Sequence, residues 1–285
     1  MTARRSRLLL SWALAACALV TAGCAGEETL RDTLAKAAER TQGAQSSRVS
    51  YEMRITSAGA PETIEFGGRG LFDYQEGRGR FTFDFSELGA AIGQSGGEME
   101  IIYDSLVVYM KYPAITSSLP DAKPWISIDL RALDNTEGGD LGALYQLSGN
   151  DPTQYLTFLR GVSDDIETIG EEDVRGVPTT HYRATVDLDA AADAVPDEEA
   201  GTIRTSIEQL KEQLGDDSLP VEVWIDDDGL PRRTRQDITL EGPPQVQQRV
   251  TMELYDFGTQ VDVEPPPSDE VTGLQQLLEE SPQGD

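Results

Sequence analysis

The chain has 285 residues, with 51 Asp and Glu against 23 Lys and Arg and a formal charge of −28. A polyanion of this kind lacks the basic stripe that displaces counterions from phosphate, so nucleic acid is excluded as a partner, and electrostatic docking on anionic lipid head groups is disfavoured as well. With His181 the sole histidine and Cys17 and Cys24 the only cysteines, zinc, haem and iron–sulfur sites lack their usual ligands. No cofactor is expected; only a hard-cation site of Asp and Glu oxygens stays open.

Arg4, Arg5 and Arg7 form a basic start, an apolar run follows from Leu8 to Val20, and Thr21, Ala22 and Gly23 lead into Cys24. That order reads as a bacterial lipobox, in which small residues fit the peptidase groove and the cysteine thiol takes a diacylglyceryl group. The alternatives are an ordinary secretory signal with an incidental cysteine, or a short membrane anchor. A run of about 13 apolar residues falls short of the ~20 needed to span a bilayer, so residues 1–23 are expected to be a signal peptide and Cys24 the lipidation site. Its loss leaves 20 basic against 51 acidic residues, a formal charge of −31. Cys17 leaves with the leader, so no disulfide is available and the exported domain depends on its core. The expected location is the extracytoplasmic face of the cell membrane, held by acyl chains on Cys24.

After the anchor, Leu30, Leu34 and Ala37 or Ala38 fall on one stripe of a short amphipathic helix, and residues 24–47 are read as the lipidated N-terminus with this helix. From residue 48 the period changes to two, with Val49, Tyr51, Met53 and Ile55 on one face. Alternation continues in ETIEFGGRGLFDYQ, in GRFTFDFS with Phe81, Phe83 and Phe85 in register, in EMEIIYD and in LVVYMKY, as expected of an antiparallel meander. Gly67, Gly68 and Gly70 mark a bulge or sharp coil, so the sheet is expected to curve. Residues 88–97 read as a flexible loop or a short helical lid, and residues 123–130 as another strand. Asn150-Asp151-Pro152 opens a helix that sets Tyr155, Leu156 and Leu159 toward the core.

Residues 165–172 and 177–188 flank a turn at Arg175-Gly176 and form a hairpin. An Ala/Asp/Glu-rich linker precedes a helix over 199–214, whose stripe is Ile203, Ile207, Leu210 and Leu214 and whose C′ residue is Gly215. VEVWID, LPRRTRQDITLE and RVTMELYDFG complete the sheet. Pro265-Pro266-Pro267 closes a domain spanning 48–265, and 266–285 read as an acidic, mobile tail.

Several strings invite a catalytic or metal reading. Gly93-Gln94-Ser95-Gly96-Gly97 matches G-x-S-x-G with His181 downstream, but a Gly/Ala loop running into a strand is not the strand-to-helix elbow that such a nucleophile needs, and no enzyme is expected. His181, on the face opposite Tyr182, reads as a hydrogen-bonded strand residue. Asp226-Asp227-Asp228-Gly229 lacks EF-hand spacing, since Trp224 stands at the first ligand position, and reads as a hairpin turn. The apolar stripes weigh more. Phe66, Leu71, Phe81, Phe83, Phe85, Ile101, Tyr109, Trp125, Phe158 and Trp224 are expected to face inward from a curved sheet, and a sheet with few helical side chains to fill it leaves room for an apolar cavity.

The string from Gly170 to Tyr182 (GEEDVRGVPTTHY), Val223-Trp224-Ile225-Asp226 with Gly229-Leu230-Pro231-Arg232, and Tyr255-Asp256-Phe257-Gly258 with Val261 and Val263 before Pro265 resemble the LppX/LprG-type actinobacterial lipoproteins, which are similar in fold to LolA and LolB. The resemblance covers residues 30–265; the acidic segment 189–217 and the acidic tail depart from it. It implies an α+β fold, LolA-like: a highly curved antiparallel half-barrel with helices packed on its concave side and an apolar pocket for acyl chains. Pocket residues expected from the stripes are Phe66, Leu71, Phe83, Ile101, Val107, Tyr109, Trp125 and Leu156. The function this implies is an envelope carrier that binds lipid or glycolipid acyl chains and moves lipids or lipoproteins across the cell envelope. The alternative is an envelope sensor or regulatory lipoprotein that binds a membrane protein partner, in the manner of a sigma-factor regulator.

Overall fold

The computed structural model describes residues 30–59, 63–91, 96–117, 123–129, 162–193, 204, 207, 208, 210–212, 214–240 and 245–280. Cys24, Ser95, Leu156, the helix expected after Asn150 and the C-terminal end of the chain lie outside these residues. Helix α1 (Leu30–Gly43) leads into strand β1 (Ser46–Ser57), followed by β2 (Ile64–Asp73), β3 (Arg78–Asp84), α2 (Ser86–Ala91), β4 (Glu98–Asp104), β5 (Val107–Lys111), α3 (Pro113–Thr116) and β6 (Trp125–Asp129). Strands β7 (Val162–Val174) and β8 (Val177–Asp187), helix α4 (Leu188–Asp193), and strands β9 (Ser218–Asp226), β10 (Pro231–Leu240) and β11 (Val246–Tyr255) come next. The chain then forms a 3-10 turn (Ser268–Glu270), β12 (Val271–Gly273) and α5 (Leu274–Glu280). Residues 204, 207, 208, 210–212 and 214 are helical, within the expected 199–214.

The strands of the described residues form one sheet of twelve in the order β12-β6-β5-β4-β3-β2-β1-β11-β10-β9-β8-β7. The sheet is open and curved, its two end strands being different elements that do not close on each other. Every pairing is antiparallel except β12 with β6. The order follows from two meanders, β1 to β6 and β7 to β11, joined by β11 against β1, where Val49 pairs with Leu254, Tyr51 with Met252 and Met53 with Val250. The β7–β8 turn is a two-residue loop with both Arg175 (φ 53°) and Gly176 (φ 79°) in the left-handed region, the backbone twist that suits a tight hairpin.

Register fixes which side chains share a face. From β1 outward, Tyr51 pairs with Gly68, Gly68 with Phe83, Phe83 with Met99 and Ile101 with Met110, so the inner face of this half carries one apolar cluster. It includes Val49, Phe72, Phe81, Phe85, Tyr103, Val108, Ile126 and Ile128. The inner face of the other half carries Val186, Val221, Val223 and Ile225, covered by Leu34, Ala37 and Ala38 of α1, Leu188 and Ala191 of α4, and Ile207. Helices therefore pack on the inner face of the sheet, as the expected fold requires.

The glycines of β2 and β3 let this inner face form. A Cβ at Gly68 would stand 2.3 Å from Cδ1 of Phe83, one at Gly70 2.4 Å from Cδ1 of Phe81, and one at Gly79 2.5 Å from Cδ2 of Phe72. Each ring lies over the neighbouring strand's glycine, where any side chain would displace it.

The expected mobile tail is corrected. Val271, Thr272 and Gly273 pair in parallel with Trp125, Ile126 and Ser127, Thr272 Oγ1 accepts the amide of Lys123 at 3.1 Å, and Leu274 and Leu277 are buried in the apolar cluster of β1–β6. The sheet thus runs past Pro267. Two leucines three apart on one helical face give enough apolar burial to dock a segment whose net charge is negative.

Candidate functional site

On the inner face, Phe81, Phe83 and Phe85 form a ladder with centroids 6.3 and 6.1 Å apart and ring planes within 28° of parallel. Phe66 lies against Phe85 at 4.8 Å, and Tyr51 against Phe81 and Phe83 at 6.1 and 5.9 Å. Of the eight residues expected to line a pocket, Phe66, Phe83 and Ile101 belong to this surface. Phe83 and Ile101 are buried, while Phe66 is half-buried. The described helices contribute only Leu88, Leu274 and Leu277 to the cluster. A groove of about 390 Å³ opens beside Tyr51, Phe66 and Gly67, and its rim carries Glu52, Glu65, Asp84 and Glu87. Arg54 bridges the first two carboxylates at 2.7 and 3.2 Å.

Leu71, Val107, Tyr109 and Trp125 fall on the outer face. Leu71 pairs with Arg80, Arg80 with Ile102, Ile102 with Tyr109 and Tyr109 with Ser127, the opposite parity to Phe81, Ile101, Met110 and Ile126. These four residues cannot line the same surface as Phe66, Phe83 and Ile101. Lys111 stands 5.6 Å from the Trp125 ring, and burial pushes the Tyr109 hydroxyl above the usual phenol range, with Asp104 adding to the effect. Runs such as Ile101-Ile102 and Val107-Val108 are apolar on both faces, so hydrophobicity alone does not assign their parity.

Trp224, also expected inward, is buried on the outer face, on the opposite parity to Val221, Val223 and Ile225. Its ring stacks on His181 at 3.9 Å and 12°, with Arg233 and Arg235 at 5.2 and 5.4 Å from its centroid. Its indole N–H donates to Glu172 at 2.8 Å, and Arg233 bridges Glu172 and Glu253 at 3.1 and 2.7 Å. His181 is 3.1 Å from Glu222, which also receives Arg183 at 3.3 Å and Arg235. Planar cations and an imidazole lie against the indole here. A bulge in β7, where the register shifts between Thr168 and Gly170, places Glu172 on this face. The Trp224 hydrogen bond holds the Glu172 carboxyl below the usual range, opposed by burial and assisted by Arg233. His181 is thus a hydrogen-bonded, stacked strand residue.

Asp226 accepts the amide of Leu230 at 2.8 Å and Arg232 Nε at 2.6 Å, and Gly229 takes φ +75°. The acidic run is a hairpin turn, as its spacing indicated. Among the described residues no group of three or more His, Cys, Asp or Glu is arranged to hold a metal ion, and no helix is long and apolar enough to cross a membrane.

The molecule is thus an open, curved antiparallel sheet with one apolar inner face and helices on that face, the fold class implied by the LppX/LprG-type resemblance. It is similar to the Mycobacterium tuberculosis lipoprotein LppX, with TM-score 0.47 and 14% identity over 82% of this chain and 97% of that one. It is also similar to LprF from Mycobacterium bovis, with TM-score 0.43 and 15% identity over 83% and 96%. In sequence it is 27% identical over 252 residues to a Streptomyces griseus protein described as an uncharacterized 31.2 kDa protein in the rplA-rplJ intergenic region, covering 85% of this chain and 78% of that protein. No protein-family profile matches the chain. At these identities no residue of this chain takes a role from another protein.

Proposed function

We propose that this protein is a membrane-tethered, extracytoplasmic lipid-binding carrier, anchored through Cys24 and holding acyl chains against the inner face of its sheet. The observation that supports it is the inner apolar surface of β1–β6 and β11, to which the described helices add only three leucines. An acyl chain lying against the half-buried Phe66 ring gains about 0.8 kcal/mol for each CH₂ taken out of water. Binding needs no covalent chemistry. The groove beside Phe66 is the entry, and its carboxylates keep an anionic head group outside while the chain passes inward.

Five residues, and hence six Cα–Cα steps, separate Cys24 from Leu30, where α1 begins. Fully extended they reach roughly 20 Å, so the domain works close to the membrane that supplies its ligand. The test is native mass spectrometry of protein released from its acyl anchor. Co-purified lipid adducts are expected, and their removal by organic extraction should be reversed by added fatty acid. Finding no adduct, together with no uptake of added fatty acid, overturns the carrier reading.

A further inference from the structure

The two edges of the sheet are unequal. β12 ends one edge with Val271–Gly273, a three-residue strand that turns at once into α5. β7 ends the other with thirteen residues and has no strand beyond it among the described residues. Residues 167–173 are all exposed, and Ile169 shows 40% of its surface. In a strand with one face covered, alternate residues would be buried; from 167 to 173 none is. Such an edge presents unpaired N–H and C=O groups to any extended chain of suitable chemistry.

Charge states what that chemistry is. β7 contains Asp164, Asp165, Glu167, Glu171, Glu172 and Asp173 and no Lys or Arg. Glu167 is paired with Arg183 and Glu172 with Arg233. Asp165, Glu171 and Asp173 are exposed, and none has an ion-pair partner among the described residues. A second copy of this chain would place the same carboxylates opposite themselves, and like charges directly across a strand pair are destabilising. A strand with alternating basic side chains would instead set a cation beside each carboxylate while its backbone completes the ladder.

We propose that β7 is a docking edge for a basic, extended peptide segment of a partner protein, which joins the sheet as a thirteenth strand. The bulge at Thr168/Gly170 limits the paired stretch to the residues that follow it, from Gly170 to Val174. Four strands, β11, β10, β9 and β8, separate β7 from β1, which carries Tyr51 of the groove, so the proposal stands independently of lipid binding.

The test uses the full-length protein and a synthetic peptide of alternating arginine and threonine about ten residues long, enough to pair with the open stretch. Hydrogen exchange and titration calorimetry are read at low salt, where exposed charges are least screened. Saturable binding is expected, with slowed exchange of those amides between Gly170 and Val174 that point away from β8. The same peptide N-methylated at alternate residues keeps its charge and loses its ladder donors, and it should abolish the slowing. Glu171→Lys with Asp173→Lys, both at exposed positions, should weaken binding about tenfold or more, because two cross-strand attractions become repulsions. Absence of binding, equal slowing by the methylated peptide, or affinity untouched by the charge reversals each overturns the proposal.

Discussion

Gly68→Ala tests whether the inner face is built by rings lying over glycines. The new Cβ would stand 2.3 and 2.6 Å from Cδ1 and Cε1 of Phe83, well inside van der Waals contact. Phe83 is buried and held between Tyr51 at 5.9 Å and Phe85 at 6.1 Å, so the ring cannot swing aside without displacing its neighbours. Replacing glycine by alanine in a strand otherwise gains about 0.5–1 kcal/mol from the unfolded chain. Overpacking costs typically 1–3 kcal/mol, so a net loss of about 1–2 kcal/mol is expected. In a Phe83→Ala background, itself about 3–5 kcal/mol less stable, the clash is absent and Gly68→Ala should become neutral or stabilising. Urea unfolding followed by circular dichroism on the four proteins of this double-mutant cycle gives the coupling directly. An equal effect of Gly68→Ala in both backgrounds, or no effect in either, refutes the reasoning.

Leu277→Ala should cost about 2–3 kcal/mol by opening a cavity in the β1–β6 cluster, read as a lower urea midpoint with an unchanged slope; a neutral result would mean that the C-terminal helix is not part of the folded core. Trp224→Phe should cost about 1 kcal/mol, since the acceptor Glu172 is half-exposed and the charge-assisted bond is correspondingly discounted. The Glu172 carboxyl titrates lower in the folded than in the unfolded protein. Its stabilisation is therefore complete above the ordinary glutamate value of about 4.3 and is lost as pH falls through the lowered folded value. Stability curves of the wild type and Glu172→Gln should differ above that range and converge below it; a constant difference at all pH values contradicts the assignment.

The strand sequence was legible because period-two alternation and turn residues agree along most of the chain: the Phe81, Phe83 and Phe85 stripe and the Arg175-Gly176 hairpin stand where alternation and the turn residues place them. Face assignment was less legible. In EMEIIYD and VVYMK apolar residues occupy both parities, and only the partner strand's register decides that Ile101 points inward and Ile102 and Tyr109 outward. Trp224 misleads for a different reason, because stacked His181 and arginines lie against it, and such neighbours leave no apolar pattern in the sequence. The tail misleads through its charge, although Leu274 and Leu277, three apart after Gly273, carried the signal of a docking helix. The Thr168/Gly170 bulge, which moves Glu172 to the outer face, has no signature beyond the glycine itself.

Titration of an environment-sensitive fluorescent fatty acid into the wild type, Phe66→Ala and Tyr109→Ala tests the carrier account most directly. Phe66 is on the inner face and borders the groove, and Tyr109 is on the outer face. Saturable uptake is predicted, weakened about tenfold by Phe66→Ala, equivalent to about 1.4 kcal/mol of lost apolar contact, and unchanged by Tyr109→Ala. No saturable uptake, or equal weakening by both substitutions, would contradict it.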